Sequence, residues 1–455
     1  MQRAKFAVPG SCTWHLTPGP WHLALNGYLL MRFLLTPVGS GGDVHPFVGI
    51  GRVLVSRGHE VVVFAAEPHQ GVVERAGLRF VATVTTDQYH EATLDPDLWH
   101  PKRGFETVLK MVTPSLESSI TKIESHYVPG HTMVVGHPLG FYTRIFEDLV
   151  GGPAATLHLA PSSLRTSYQV PALPPGVDIS RLPQWLKHTF WFLVDRFGID
   201  PLIVPAINRI RAGYGLSPVK RIFEEWFNSP RLVVGLFPDW FGPGQPDWPA
   251  AFHHTSFPLW DDAGAAGLDP ELDGFLNRDS APVVVSPGTA NRHATPFFAA
   301  VAKALSALGR RGLFLTGYPE QVPGDLPDTI LVRRYAPFSQ VLPKAAAFIH
   351  HGGIGTVAQG LAAGKPQLIM PMSFDQPDNA FRAERLGVAR WLSPGRFKAD
   401  RVTVALGELL ESPPIAESAA KWRQRLLETN GIKLACDLLE LTGVKSERRR
   451  HRVER

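Results

Sequence analysis

Two glycine-rich turns, one near each end of the chain, carry the side chains best placed for chemistry. The later one reads Ala347-Phe348-Ile349-His350-His351-Gly352-Gly353-Ile354-Gly355-Thr356, an apolar strand running through a turn into a helix that starts near Ile354. Gly352, Gly353 and Gly355 let a ligand approach the backbone and present N–H groups at a helix start. That end carries about half a positive charge and suits a phosphate. His351 stands at the lip, where its imidazole can donate to a diphosphate oxygen, and Thr356 adds a hydroxyl. After the next strand comes Asp375-Gln376-Pro377, a carboxylate and an amide suited to neighbouring sugar hydroxyls. The same residues read equally as an N-cap for a helix that Pro377 opens, and the glycines as a tight connection. Adjacent histidines on a strand point to opposite faces and no third ligand lies nearby, so no metal site is expected.

The earlier turn, Gly39-Ser40-Gly41-Gly42-Asp43-Val44-His45-Pro46, is not a dinucleotide fingerprint, because the third glycine position falls on Val44. It offers instead a carboxylate at a helix start with an imidazole two residues on. Either side chain could take up a proton as a general base, Asp43 among them. His45 is the alternative, with an ordinary pKa nearer neutrality, and an N-cap carboxylate is the structural alternative.

Both turns need sheet edges to hold them. From Met31 onward short apolar runs alternate with helical patterns, the mark of βαβ units and parallel sheets. Strands are predicted at 32–36, 60–65, 78–84, 131–136, 154–159 and 231–236, then at 282–286, 312–316, 329–333, 346–350 and 367–371. Helices are predicted over about 45–57, across the aromatic stretch 181–227, and at 400–411, 415–428 and 432–441. The fold class is therefore α/β, with two doubly wound, Rossmann-like domains facing across a cleft. The expected division is an N-terminal domain over 31–237, a Pro-rich linker over 238–260, a C-terminal domain over 261–430, and a C-terminal helix with a basic tail over 431–455. Residues 1–30, broken by Pro and Gly, are expected to be a disordered extension.

Composition narrows the function class. At 455 residues, 44% hydrophobic and 19% charged, the chain has apolar surface enough for two cores and is not expected to be disordered. Its most apolar stretch, around 188–194, is far shorter than the roughly 20 residues of a spanning helix. Of the formal net charge of +5, residues 445–455 contribute four and residues 1–30 two, leaving the body at −1. That argues against nucleic-acid binding. Two cysteines cannot build a disulfide framework. The expected place is the cytoplasm, with peripheral contact at the inner face of the membrane left open.

The run from Tyr335-Ala336-Pro337 through His350-His351-Gly352-Gly353-Ile354-Gly355-Thr356 to Asp375-Gln376-Pro377 resembles the donor signature of family 1 nucleotide-sugar glycosyltransferases of GT-B fold. It is most similar to bacterial sterol-, macrolide- and rhamnosyl-transferase-like members. The resemblance implies an inverting transfer of a sugar from a UDP- or dTDP-sugar to a hydroxyl of a hydrophobic small-molecule or lipid acceptor, with no cofactor beyond that co-substrate. Tyr335 stands for the family's usual Trp on the base. His351, Gly353, Gly355 and Thr356 should hold the diphosphate, Gln359 the ribose, and Asp375 and Gln376 the sugar. Ser286-Pro287-Gly288-Thr289 resembles the second phosphate-contacting loop. In Gly42-Asp43-Val44-His45-Pro46 the Asp takes the place of the family's usual base histidine, as in sterol-type members.

The acceptor is expected to lie against the first half, near His137, Phe141, Tyr142 and Trp185, with Trp99, Tyr168 and Trp191 further candidates. Most of these aromatics are also what an ordinary core would use. Rival functions are a nucleotide-sugar epimerase or phosphorylase of the same fold, an NAD-dependent oxidoreductase using Glu67, and a catalytically silent binding partner of another transferase.

Overall fold

The computed structural model describes residues 30–100, 103–172, 179–263, 267–278 and 280–453. The expected extension 1–30 lies outside these residues, apart from Leu30. Within them the chain forms two α/β lobes. The first holds β1 (Arg32–Thr36), β2 (Glu60–Ala65), β3 (Arg79–Ala82), β4 (Thr132–Gly136), β5 (Ala154–His158), β6 (Val233–Gly235) and β7 (Phe252–His254). They pair in parallel in the order β3-β2-β1-β4-β5-β6-β7. The second holds β8 (Val283–Ser286), β9 (Gly312–Leu315), β10 (Ile330–Arg333), β11 (Ala347–His350), β12 (Gln367–Ile369) and β13 (Ala389–Trp391). Its order is β10-β9-β8-β11-β12-β13.

Both sheets reverse direction of growth at one point, between β1 and β4 and between β8 and β11. Ligands bind outside the carboxyl ends of the strands at such a switch point. The turns that hold Asp43, His137, Gly288 and His351 follow those four strands, and the Asp375 turn follows the neighbouring β12.

The strands are apolar on both faces because helices cover both. On the first sheet Phe33, Leu35, Val61 and Val63 pack with Phe47 and Leu54 of the first helix. Leu34, Val62 and Phe64 face Leu116 and Ile120 on the other side. Alternation along each strand thus feeds two separate cores.

Three boundaries differ from expectation. The first helix runs Gly41–Ser56, starting before the expected 45. The carboxylate of Asp43 reaches back to accept from Ser40 N at 2.7 Å and closes the first turn early. The predicted linker 238–260 contains β7, whose Val234↔His253 register extends the first sheet. A strand of three residues among prolines leaves almost no period-2 signal.

The last helix runs Gly431–Val453, past the predicted 432–441 and into the expected basic tail. Its residues Ile432, Ala435, Cys436 and Leu439 join the core of the first lobe. Glu440 fastens it there, accepting from Arg57 Nη1 at 2.6 Å and pairing with His59 Nε2 at 2.8 Å. His59 Nδ1 accepts from Met31 N, so Nε2 carries the proton donated to Glu440. Among the described residues no helix is long and apolar enough to cross a membrane.

The returning helix should matter to the first lobe more than its terminal position suggests. Leu439→Ala removes a fully buried side chain and should cost about 2–5 kcal/mol. The check is the urea midpoint of unfolding, which should fall with little change in slope.

Candidate functional site

Where the two switch points meet, a cleft of about 1520 Å³ separates the lobes. That is larger than the roughly 300–1,000 Å³ typical of a single small-ligand pocket, and leaves room for two substrates. Asp43, His45, Ser286, Gly288, Thr289, Tyr335, His351, Gly353, Gly355, Thr356, Gln359, Asp375 and Gln376 all line it, as do Gly42, His137 and Tyr142.

On the first lobe the geometry is built around Asp43. Its Oδ2 accepts from Ser40 N at 2.7 Å and from Ser40 Oγ at 3.2 Å. Gly39 has φ +134°, and a Cβ there would lie 2.1 Å from that oxygen, so only glycine leaves the carboxyl its place. Pro46 inside the helix lacks the N–H that would close on the Gly42 carbonyl.

Burial on the cleft wall pushes the Asp43 carboxyl up to about 7, with the Ser40 N–H opposing and Asp375 adding to the rise. Asp43 is half-buried, enclosed by both lobes but open to the ligand space. His45 turns to another side of the helix, edge-on to Trp260 at 5.2 Å. Burial holds its pKa down, and Asp261 and Asp262, which oppose that, are also neighbours of Tyr335. Asp43 and His45 therefore serve different ends of the cleft.

On the second lobe β11 delivers two histidines to different fates. His350 is fully buried, with Nδ1 accepting from Gly352 N at 3.0 Å and Nε2 against Gln367 Oε1 at 2.8 Å. His351 faces the cleft between two glycines. A Cβ on Gly288 (φ +94°) would come within 2.8 Å of its ring and one on Gly353 within 2.6 Å. Burial pushes the imidazole down to about 4, so it is neutral at pH 7 with one N–H to give. Its Nδ1 is buried without a protein partner, which a ligand can supply.

Asp375 stands at the start of the helix Gln376–Arg385 without capping it. Its Oδ2 accepts from Asn379 Nδ2 at 2.6 Å. Burial lifts its pKa to about 6, against the Asn379 amide and the Ile354 N–H, which favour the charged form. Gln376 spends Oε1 on Met372 N and Ser373 N, at 2.8 and 3.4 Å, so its carbonyl shapes the loop that presents Asp375.

Four expected residues do not line the cleft, among them Tyr168, which is exposed outside it. Gly352 (φ +92°) is buried against Ile369 and gives its carbonyl to Asn379 Nδ2. Phe141 is fully buried in the first-lobe core. Trp185 is 68% exposed on the outside of the helix Gln184–Leu193. A single helix turn separates lining from non-lining positions, and aromatic content does not reveal the rotation.

Sequence reasoning also missed contributors. Arg165 lies over Trp191 at 4.1 Å and pairs with Asp195 at 2.6 Å, a cation within an otherwise apolar recess. Phe374, beside Asp375, holds φ +58° and reaches over to Trp99 of the first lobe, ring to ring at 5.8 Å. A left-handed phenylalanine costs about 1–3 kcal/mol and persists only where surroundings demand it. Trp260 sat unnoticed at the end of the supposed linker. The position of Phe374 next to the Asp–Gln pair was the one available signal.

Residues 33–126 match the Glycosyltransferase family 28 N-terminal domain, and residues 318–432 the Erythromycin biosynthesis protein CIII-like C-terminal domain. The chain is 30% identical over 436 residues to the O-mycaminosyltylonolide 6-deoxyallosyltransferase of Streptomyces fradiae, covering 90% of this chain and 97% of the relative. Among solved structures, the glycosyltransferase of kitacinnamycin superposes with TM-score 0.70 at 20% identity, covering 91% of this chain and 99% of the other. The spinosyn rhamnosyltransferase SpnG complexed with thymidine diphosphate gives 0.62 at 18%, covering 90% and 100%.

The His351 environment predicts its titration. With its folded pKa near 4 against an ordinary 6.5, the ring should stay neutral at pH 5.5 in an NMR titration. The folded state then binds fewer protons, so this residue's contribution to stability is intact above about 6.5 and declines as pH falls toward 4. Gly288→Ala should displace the ring and raise that pKa.

Proposed function

Since the chain belongs to the family 1 glycosyltransferases of GT-B fold, we propose that it moves a sugar from a UDP- or dTDP-sugar to a hydroxyl of a large apolar acceptor with inversion, Asp43 acting as base. One observation carries this reading: a carboxyl with a pKa near 7 faces the donor loops across a shared cleft.

The nucleoside diphosphate lies against the second lobe. Tyr335 offers a ring for the base, and Gln359 an amide for the ribose. The diphosphate meets the Ile354 helix start, the N–H of His351 and the hydroxyls of Ser286, Thr289 and Thr356. Asp375 takes the sugar hydroxyls. The acceptor lies in the first lobe, beside Phe105, Val108, Met111, Phe223 and Phe227.

Its O–H proton passes to an Asp43 oxygen while the acceptor oxygen bonds to the anomeric carbon. The bond from that carbon to the diphosphate oxygen breaks with its electron pair, and the configuration inverts. Fixed donors around the leaving diphosphate stabilise its growing charge without reorganisation. A base with pKa near 7 is ionised in about half of molecules at neutrality and far stronger than an ordinary aspartate.

A thymidine nucleotide is favoured by the thymidine diphosphate held by SpnG. A macrolide-type acceptor is favoured by the relative named for transfer to O-mycaminosyltylonolide. The apolar recess suits such a ring.

Asp43→Asn should lower kcat by about 10²–10⁴ while calorimetry shows unchanged nucleotide binding. A loss of binding with intact turnover would contradict the role. In the parent enzyme kcat/KM should rise with pH and level off above about 7, because only ionised Asp43 accepts the proton. His351→Ala should weaken nucleoside diphosphate binding more than tenfold, about 1.4 kcal/mol. A thermal-shift panel of UDP- and dTDP-sugars separates the two nucleotides.

A further inference from the structure

We propose that the outer face of the segment 182–202 is a docking surface for a bilayer containing anionic lipid. The helix Gln184–Leu193 continues through a π-turn, Val194–Ile199, into the helix Asp200–Gly213. Its outward side is apolar. Trp185 is 68% and Phe197 71% exposed, and Leu182, Phe192 and Leu193 are also exposed.

Trp185 and Phe192 are seven residues apart, two turns along one helix face. From Phe192 to Phe197 the step is five. The i→i+5 closure of the π-turn makes that wider step return to the same side. The π-turn thus keeps three large rings on one outward face, where a continuous α-helix would rotate Phe197 away.

Charge selects the occupant. Between 179 and 213 the exposed ionisable groups are Arg181, His188, Arg196 and Arg209. The two acids of that stretch are buried and engaged. Asp195 pairs with Arg165, and Asp200 accepts from the N–H groups of Arg221 and Ile222. Arg196 lies over the Phe197 ring at 5.6 Å, a basic group at the level of an exposed aromatic. Beside Phe192 the exposed Glu224 and Glu225 are paired with Arg221, which lies over that ring at 6.0 Å. Rings and leucines with arginine between them, and no exposed acid within 179–213 itself, are the composition of a helix lying in an anionic interface.

The inner side of this segment, through Trp191, Val194, Gly198 and Leu202, lines the cleft. A docked face would set the apolar recess beside the lipid. Delivery of an acceptor that way rests on the proposed function, whereas the docking itself does not.

The test is co-sedimentation of the full chain with vesicles of phosphatidylcholine alone or with 30% phosphatidylglycerol. The expected result is at least a fivefold preference for the anionic vesicles, and at least a tenfold loss of binding in W185E/F197E. That variant should keep its nucleoside diphosphate affinity, which shows it folded. It also keeps residues 445–455, so a basic tail cannot mimic the effect. No sedimentation of the parent chain, or equal sedimentation of the variant, overturns the proposal. So does light scattering that shows a dimer lost in the variant with no vesicle binding, since the face would then belong to a second copy.

Discussion

Burial in the walls of one shared gap makes two carboxyl groups costly to charge, and the cleft is organised around that constraint. Asp43 and Asp375 come from different lobes, each lifted by burial, and Asp375 raises Asp43 further. Each is held by a small set of donors: the Ser40 N–H and hydroxyl for one, the Asn379 amide and the Ile354 N–H for the other. The donors keep the groups in place without restoring ordinary acidity. Burial first, and the opposing Asp375 after it, lift the Asp43 carboxyl toward neutrality.

That opposition requires the lobes to stay close. Gly41 and Thr289 face each other with no space for more than a methyl group. A shared apolar cluster joins Phe237, Phe241 and Phe257 to Val357, Leu361 and Ala380 of the second lobe, with Trp240 stacked on Trp422 at 4.7 Å. The chain passes from the first lobe to the second after β7 and comes back with its last helix, so two crossings fix the relation. Glycines at 39, 288 and 353 then let side chains sit where any Cβ would displace them. The geometry of the cleft depends on missing atoms at these positions as much as on present ones.

The cleft's two lobes also differ in how specific their walls are. The second-lobe wall is largely backbone and short polar side chains, so its geometry follows from the sheet edge. The first-lobe wall is aromatic and aliphatic, drawn from several helices with the half-buried Arg165 among them. Non-directional contacts accept many shapes, while directional hydrogen bonds accept few.

Much of this was legible in the sequence. The βαβ alternation, both switch-point turns and the Asp43, His351 and Asp375 constellation could be read because each depends on local pattern: an apolar run, then glycines, then a polar residue at a helix start. The resemblance to a glycosyltransferase signature rested on the same local runs and holds. Other features depended on rotation and distance. Whether Phe141 or Tyr142 reaches the cleft, whether Trp185 faces in or out, and that a three-residue strand hides among prolines are settled by packing between distant segments. The sequence by itself determined which chemistry each turn can offer, because residue type and backbone freedom are local properties. Only the tertiary structure decided that the Asp43 carboxyl is lifted toward pH 7, since burial and an opposing carboxylate arise only once two lobes have closed on one gap.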